Sequence, residues 1–502
     1  MRLAILGAMA TLAAVPASAG VREYRQANEH RILNEFVTLL SIPNVAADTP
    51  NIRRNADALV AMMEARGLAP RLLEGADAKV PPVVYGEWKV PGAKRTLVLY
   101  AHYDGQPTVA SKWKASPPWQ PTMRSASLDA GGTIVPMPGA GQPIDPEWRL
   151  YARSTSDDKL GVIAILTAID ALKAEKKLPS ANIKLVFEGQ EEAGSADLGD
   201  ILRRNKPLLG SDAWVIFDGP LHQTGNRQVV FGVRGVTGVD LTVYGARRPL
   251  HSGHYGNWSP NPAQMLASLL ASMKDEKGHV LIKDFYSDDA PVGTREREAI
   301  AAVPNVDKTV MAELGIAASE AGDSLLDSYT RTSLNIDGLA SAEVAENARN
   351  VIPATATATI DMRLVRGADA TRQVDKLAAH LAAQGFHVIE GEPTDAERAV
   401  YPKIVRLHRQ GGYNAVRTPM DTPVGIATLK ALAAIDGKPV MAIPTAGGSL
   451  PLFMIDETFG VPLITVGSAN YDNNQHSEDE NVRIQNLWDS IETAAAVMTM
   501  KQ

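Results

Sequence analysis

Four short apolar runs, TLVLYA (96–101), IKLVFE (183–188), WVIFD (214–218) and PLITVG (462–467), restrict the fold of this chain more than any other feature. None alternates cleanly with polar residues, so each reads as a strand buried on both faces, and helical stretches such as KLGVIAILTAIDALKAEKK (159–177) separate them. Buried strands interleaved with helices imply an α/β domain built on a mostly parallel sheet flanked by helices. Ligands of such sheets bind beyond the carboxyl ends of the strands.

At 502 residues the chain exceeds the size at which one core usually keeps growing. The texture changes near Arg234: Val239, Leu241 and Val243 alternate with polar neighbours, and 354–365 alternates again before a helix over 370–384 and the short strand FHVIE (386–390). Strict alternation marks strands with one exposed face, hence a small antiparallel sheet backed by two helices. A helix near 424–435 and the run 462–467 return to the first texture. The expected plan is a catalytic domain in two parts, 20–234 and 421–502, interrupted by an inserted α+β lid and dimerisation domain over 235–420. Residues 105–150, with Pro117-Pro118 and Gly131-Gly132, read as a long surface loop near the site.

Residues 1–19 combine Arg2, an apolar stretch over 3–15 and Ala17-Ser18-Ala19, the pattern of a Sec-type signal peptide cut after Ala19. The mature protein is therefore expected in the periplasm or outside the cell, with no membrane span. A net charge of −7 without a basic block argues against a nucleic-acid partner and favours a small solute. The chain has no cysteine, so a strong metal site must use His, Asp and Glu.

Polar residues of that kind stand just past the apolar runs: His102 and Asp104, Asp157-Asp158, Glu191-Glu192, Asp218, and much later His476. Singly, each is an ordinary turn or surface residue. Gathered at one sheet edge, they could hold two cations about 3.5–4 Å apart, an arrangement that needs one bridging carboxylate and a few terminal ligands. Asp157 is the natural bridge, with His102 and Asp218 completing one ion and Glu192 and His476 the other. Such donors suit two Zn²⁺ per subunit, with Mn²⁺ or Co²⁺ possible. Asp104 is expected to accept the ring N–H of His102. Adjacent glutamates must diverge, so Glu192 is assigned as ligand and Glu191 as the general base that takes a proton from the attacking water.

The segments LYAHYDGQP (99–107), ARSTSDDKLG (152–161), FEGQEEAGS (187–195), IFDGP (216–220), GVRGVTG (232–238), HSGHYGNWSPNP (251–262), NVIPATATATIDMRL (350–364), GGSLP (447–451) and HSEDENV (476–482) resemble a known family. It is the dinuclear zinc peptidase family of carnosine and cytosolic nonspecific dipeptidases, aminoacylase, glutamate carboxypeptidase and succinyl-diaminopimelate desuccinylase. The dipeptidase branch is the most similar. The resemblance implies the same ligand set and the same base. It further implies that His251 reaches from one subunit of a homodimer into the partner's site to stabilise the oxyanion. Asn335, Arg363, Gly448 and Ser449 look like substrate-binding residues, Arg363 suiting a carboxylate. Two departures stand out: Ala152-Arg153-Ser154 where the family has Gly-Arg-Gly, and Thr445-Ala446 where dipeptidase-like members carry Arg-Glu. The reading is a zinc metallopeptidase cleaving an amide bond of a small peptide. An N-acyl amino acid deacylase on the same site, or an inactive periplasmic solute-binding homologue, are the alternatives.

Overall fold

The computed structural model describes residues 19–450 and 452–501. The expected leader, residues 1–19, lies outside the described residues apart from Ala19, where the helix Ala19–Leu40 begins.

The four apolar runs form the centre of an eight-stranded sheet. Asn182–Glu188, Thr96–His102, Ala213–Phe217 and Leu463–Val466 lie side by side and parallel. Their side chains alternate between two cores, which is why the sequence reads as continuously apolar. Leu97, Leu99, Ala101, Leu185, Val215 and Phe217 face one layer of helices. Val98, Tyr100, Val186, Trp214 and Ile216 face the other. The first layer contains Ala19–Leu40, Lys159–Ala174, Pro423–Asp436 and Ile484–Thr499. Lys159–Ala174 is buried at every position through Ile169, matching its apolar character on all sides. Leu198–Arg204 and Phe453–Phe459 belong to the second layer.

Four of the sheet's seven strand pairings are parallel, as expected, the fourth being Gln228–Val230 with Met441–Ile443, and the other three are antiparallel. Val83–Trp88 runs antiparallel to Asn182–Glu188, Arg71–Leu73 antiparallel to Val83–Trp88, and Gln228–Val230 antiparallel to Leu463–Val466. Strand direction leaves no mark on local periodicity, and these outer strands are short.

The second sheet has the order Ser333–Ala340, Thr355–Leu364, Gly235–Tyr244, Ile404–Arg409, His387–Ile389. It is antiparallel except for its last pair. Val239, Leu241, Val243, Ala356, Ala358, Ile360 and Met362 turn one face toward Pro262–Ala271 and Ala370–Ala383, as the alternation requires.

Two segments differ from expectation. Residues 105–150 are not structureless: Thr122–Arg124 and Arg149–Tyr151 pair with each other, and Arg149–Tyr151 pairs with Asn481–Arg483 to make a three-stranded sheet. The run is too broken by Pro and Gly to show a period, yet it is pinned by partners from the far end of the chain. Within the inserted block, Val303 and Leu326 pack back on Val230, Met441 and Ile443 of the first sheet. That block therefore supplies a wall beside the first sheet. No helix among the described residues is long and apolar enough to cross a membrane.

Candidate metal centre

The polar residues singled out come from the carboxyl ends of the parallel strands and from two neighbouring loops. His102 ends its strand opposite Glu188. Glu191 and Glu192 open the turn Glu191–Ala193, which Gly194 closes at φ 83°, a conformation that favours glycine. Asp218 follows Ala213–Phe217. Asp157 and Asp158 precede Lys159–Ala174 and are joined by a cis peptide bond. His476 lies on the loop after Leu463–Val466 with φ 60°, a left-handed conformation uncommon outside glycine. The sheet has thus gathered residues up to 374 positions apart.

Asp157 is the hinge of the arrangement. Its Oδ1 is 2.9 Å from His102 Nε2 and its Oδ2 is 3.0 Å from His476 Nε2. His476 Nε2 is also 3.2 Å from Glu192 Oε2, and Glu191 Oε2 is 3.9 Å from His102 Nε2. Two groups of donor atoms result, each spanning no more than 4.8 Å: Asp157, Glu192 and His476, and next to them His102, Asp158 and Asp218. Both oxygens of Asp158 are taken by backbone amides. Its oxygens accept the amide N–H of His102 at 3.2 Å and of Gly161 at 3.3 Å, so it caps the following helix and fixes the His102 backbone.

Four carboxylates, those of Asp157, Glu191, Glu192 and Asp218, thus share one largely buried space, and the two imidazoles form ion pairs with the first three. Burial, and then the charge of Asp157, push Asp218 up to about 6 and Glu192 up to about 8. Burial also drives Glu191 well above the usual carboxylate range. Burial acts the same way on Asp157, but hydrogen bonds to His102 and His476 override it and hold that carboxyl low. His476 is raised to about 9, chiefly by Asp157. Packed like charges of this kind are costly without compensating positive charge. Imidazole nitrogens and carboxylate oxygens around a doubly facing aspartate are a donor set that fits two divalent cations.

Asp104 lies beneath this set, fully buried. Its Oδ1 is 3.4 Å from His102 Nδ1, a long contact on the side where the ring N–H is expected to point. Its two oxygens accept the amide N–H groups of Glu191 and Glu192, each at 3.1 Å. Asp104 therefore faces the imidazole on the expected side and also holds the glutamate turn. Gln106, which the sequence did not suggest, donates to Glu192 Oε2 at 2.7 Å.

The centre opens into a cleft of about 1440 Å³ whose lining includes Asp157, Glu191, Asp218, His476, Tyr329, Arg363, Gly448 and Ser449. Lys114 and Leu128 from 105–150 form part of its wall, as do Val303 and Leu326. Arg363 is held by Asp361, Nε to Oδ2 at 2.7 Å, and donates from Nη1 to Ser449 Oγ at 3.0 Å. His251 and Asn335 are not brought to this cleft. His251 is exposed and accepts the Gly253 N–H through Nδ1 at 3.0 Å, and Asn335 is exposed on the outermost lid strand, donating to Asp337 Oδ1 at 2.8 Å.

Comparison with known proteins fits this geometry. The model of peptidase family M20/M25/M40 matches residues 98–500. The chain belongs to that family. This M20 peptidase is 26% identical over 378 residues to the Cys-Gly metallodipeptidase dug1 of Schizosaccharomyces pombe, covering 72% of this chain and 75% of the relative. It is 25% identical over 457 residues to the human Beta-Ala-His dipeptidase, covering 89% and 81%. Among solved structures, the M20 family metallo-carboxypeptidase Sso-CP2 of Sulfolobus solfataricus superposes with a TM-score of 0.75 at 27% identity, over 93% of this chain and 98% of that one. Dug1p of Saccharomyces cerevisiae shares the fold, with a TM-score of 0.74 at 21% identity over 96% and 98%. The expected α/β fold and family are therefore found, and the M20 peptidase is a metal-dependent hydrolase of amide bonds.

Proposed function

We propose that this M20 peptidase is a dipeptidase using two divalent cations, Zn²⁺ first among them. In this reading Asp157 bridges, His102 and Asp218 complete one ion, and Glu192 and His476 complete the other. The observation that carries it is Asp157, whose two oxygens face His102 and His476 at 2.9 and 3.0 Å. The dipeptidase names of the relatives above support the substrate class. Bound there, the cations would polarise the scissile carbonyl and acidify the attacking water.

The remaining steps belong to the chain's own residues. Glu191, with its proton affinity raised by burial, takes the proton of the attacking water on its carboxylate and returns it to the leaving amine. Asp104 keeps that carboxylate in place by holding the Glu191 and Glu192 amides. Arg363, braced by Asp361, offers its guanidinium to the substrate carboxylate, with Ser449 and the Gly448 backbone alongside.

The catalytic unit in this reading is a homodimer joined through the inserted domain, in which His251 and Asn335 complete the partner's site and His251 stabilises the oxyanion. Their exposure away from their own cleft supports it. So does the apolar surface of the outermost lid strand and the segment after it, where Ile336, Leu339 and Val344 are exposed. Export to the periplasm or beyond is supported by the pattern of residues 1–19. The test is a panel of free dipeptides against N-acetyl amino acids with metal-loaded mature protein. Hydrolysis confined to the N-acetyl amino acids would replace the dipeptidase reading with a deacylase.

A further inference from the structure

Glu480 has no part in the roles assigned so far, yet it is one of the most heavily hydrogen-bonded carboxylates in the molecule. It is fully buried, four residues past His476. Its Oε1 accepts the amide N–H and the hydroxyl of Ser156, both at 2.8 Å, and the amide N–H of Asp157 at 3.0 Å. Its Oε2 accepts the amide N–H of Ser154 at 2.8 Å and Nη1 of Arg153 at 2.9 Å. Arg153, itself 2% exposed, turns its other terminal nitrogen to the carbonyl of Ser477 at 3.0 Å, next to His476. The backbone strengthens the same junction: Ala152 N–H donates to Glu480 O at 3.2 Å, and Asn481 pairs with Tyr151.

This is more than a buried ion pair. One carboxylate grips three of the four residues of the 154–157 turn, the last through the amide of the residue whose two oxygens face the two histidines. One guanidinium ties the same turn to the loop that presents His476. His476 sits at the end of that loop in a left-handed conformation and with a half-exposed side chain, so few contacts of its own fix its distance from Asp157.

We infer that Glu480, acting with Arg153, is a positioning residue that sets the separation of the Asp157 carboxylate and the His476 ring, and thereby the affinity of the cation they share. The inference rests on the ligand set proposed above. It depends on the carboxylate having two acceptor oxygens. Glutamine keeps the volume but offers one acceptor, and its amide N–H₂ would meet either the Ser154 amide and Arg153 or the Ser156 and Asp157 donors. Residues that hold metal ligands in place typically cost 10–100-fold in affinity when replaced, so a loss of about that size is expected.

The test uses the metal-loaded full protein and Glu480→Gln, with Zn²⁺ affinity and stoichiometry by equilibrium dialysis. The visible spectrum of the Co²⁺ form, and kcat and KM at saturating metal, complete the measurements. The expected result is that one of the two cations binds about 10–100-fold more weakly while the other is unchanged, the Co²⁺ spectrum changes, and kcat falls while KM stays within about twofold. A lower melting temperature with wild-type affinity, spectrum and kcat would make Glu480 merely structural and overturn the inference. Should Glu480→Gln fail to fold, Ser156→Ala removes one of the five contacts and Arg153→Lys replaces the two-pronged guanidinium. Each is expected to weaken the same cation several-fold, and wild-type affinity in both would equally overturn it. Wild-type protein that binds no metal at all would instead reject the ligand set, a different outcome from a wild type and a variant that bind alike.

Discussion

Loading the centre with metal must expel protons, and the structure says roughly how many. In the metal-free protein Glu192 is pushed up to about 8 and His476 up to about 9, and the Asp104 and Asp157 carboxylates override burial to hold His102 well above its ordinary range, so at pH 7 all three are mostly protonated, while Asp218, at about 6, is mostly ionised. Cations bind only the deprotonated forms. The sign follows: as pH falls from 8 to 6, protons compete harder and affinity drops. Each displaced proton is worth a tenfold change in affinity per pH unit, about 1.4 kcal/mol. His476 is more than half exposed and solvent screens part of its shift, so Glu192 is the firmer contributor. The log of the apparent Zn²⁺ affinity should therefore fall with a slope between about two and three per pH unit from 7 to 6. Calorimetric titration in two buffers of different ionisation enthalpy, at pH 6, 7 and 8, measures both the slope and the protons released. An affinity flat across that range with no proton release would refute the reasoning, since it would mean that the carboxylates and imidazoles described are not the ligands.

Chelation should abolish turnover, and Zn²⁺, Mn²⁺ or Co²⁺ should restore it; activity surviving with metal near zero per chain would count against a metal mechanism. His251→Ala should lower kcat by about a hundredfold with metal content unchanged, read by steady-state kinetics beside elemental analysis. Near-normal rates would end the role of His251 in the partner's site. Asp361→Asn removes the carboxylate that braces Arg363, so KM for dipeptides should rise about tenfold with kcat nearly unchanged. An unaltered KM would mean that Arg363 does not meet the substrate.

The centre was legible in the sequence because buried parallel strands announce themselves as unbroken apolar runs, and polar residues directly beyond them have one place to go. Adjacency did the rest at Glu191-Glu192, where neighbours must diverge. Asp157-Asp158 resolved in the same way, one residue facing the histidines and the other capping a helix. The supports were hidden for a physical reason. Glu480 and Arg153 meet only because strands more than 300 residues apart pair, and no local pattern records that encounter. Asp104 was legible as a neighbour of His102, but its hold on the Glu191 and Glu192 amides was not. The order within 105–150 is likewise imposed from outside, by 479–483. His251 and Asn335 carry no sign in a single chain of what they face.

Glu191→Gln, assayed for dipeptide hydrolysis and for bound metal in the same preparation, tests the central claim most directly. The account predicts about two cations per chain retained and a rate reduced by about 10²–10⁴-fold. Wild-type turnover with metal bound would contradict it.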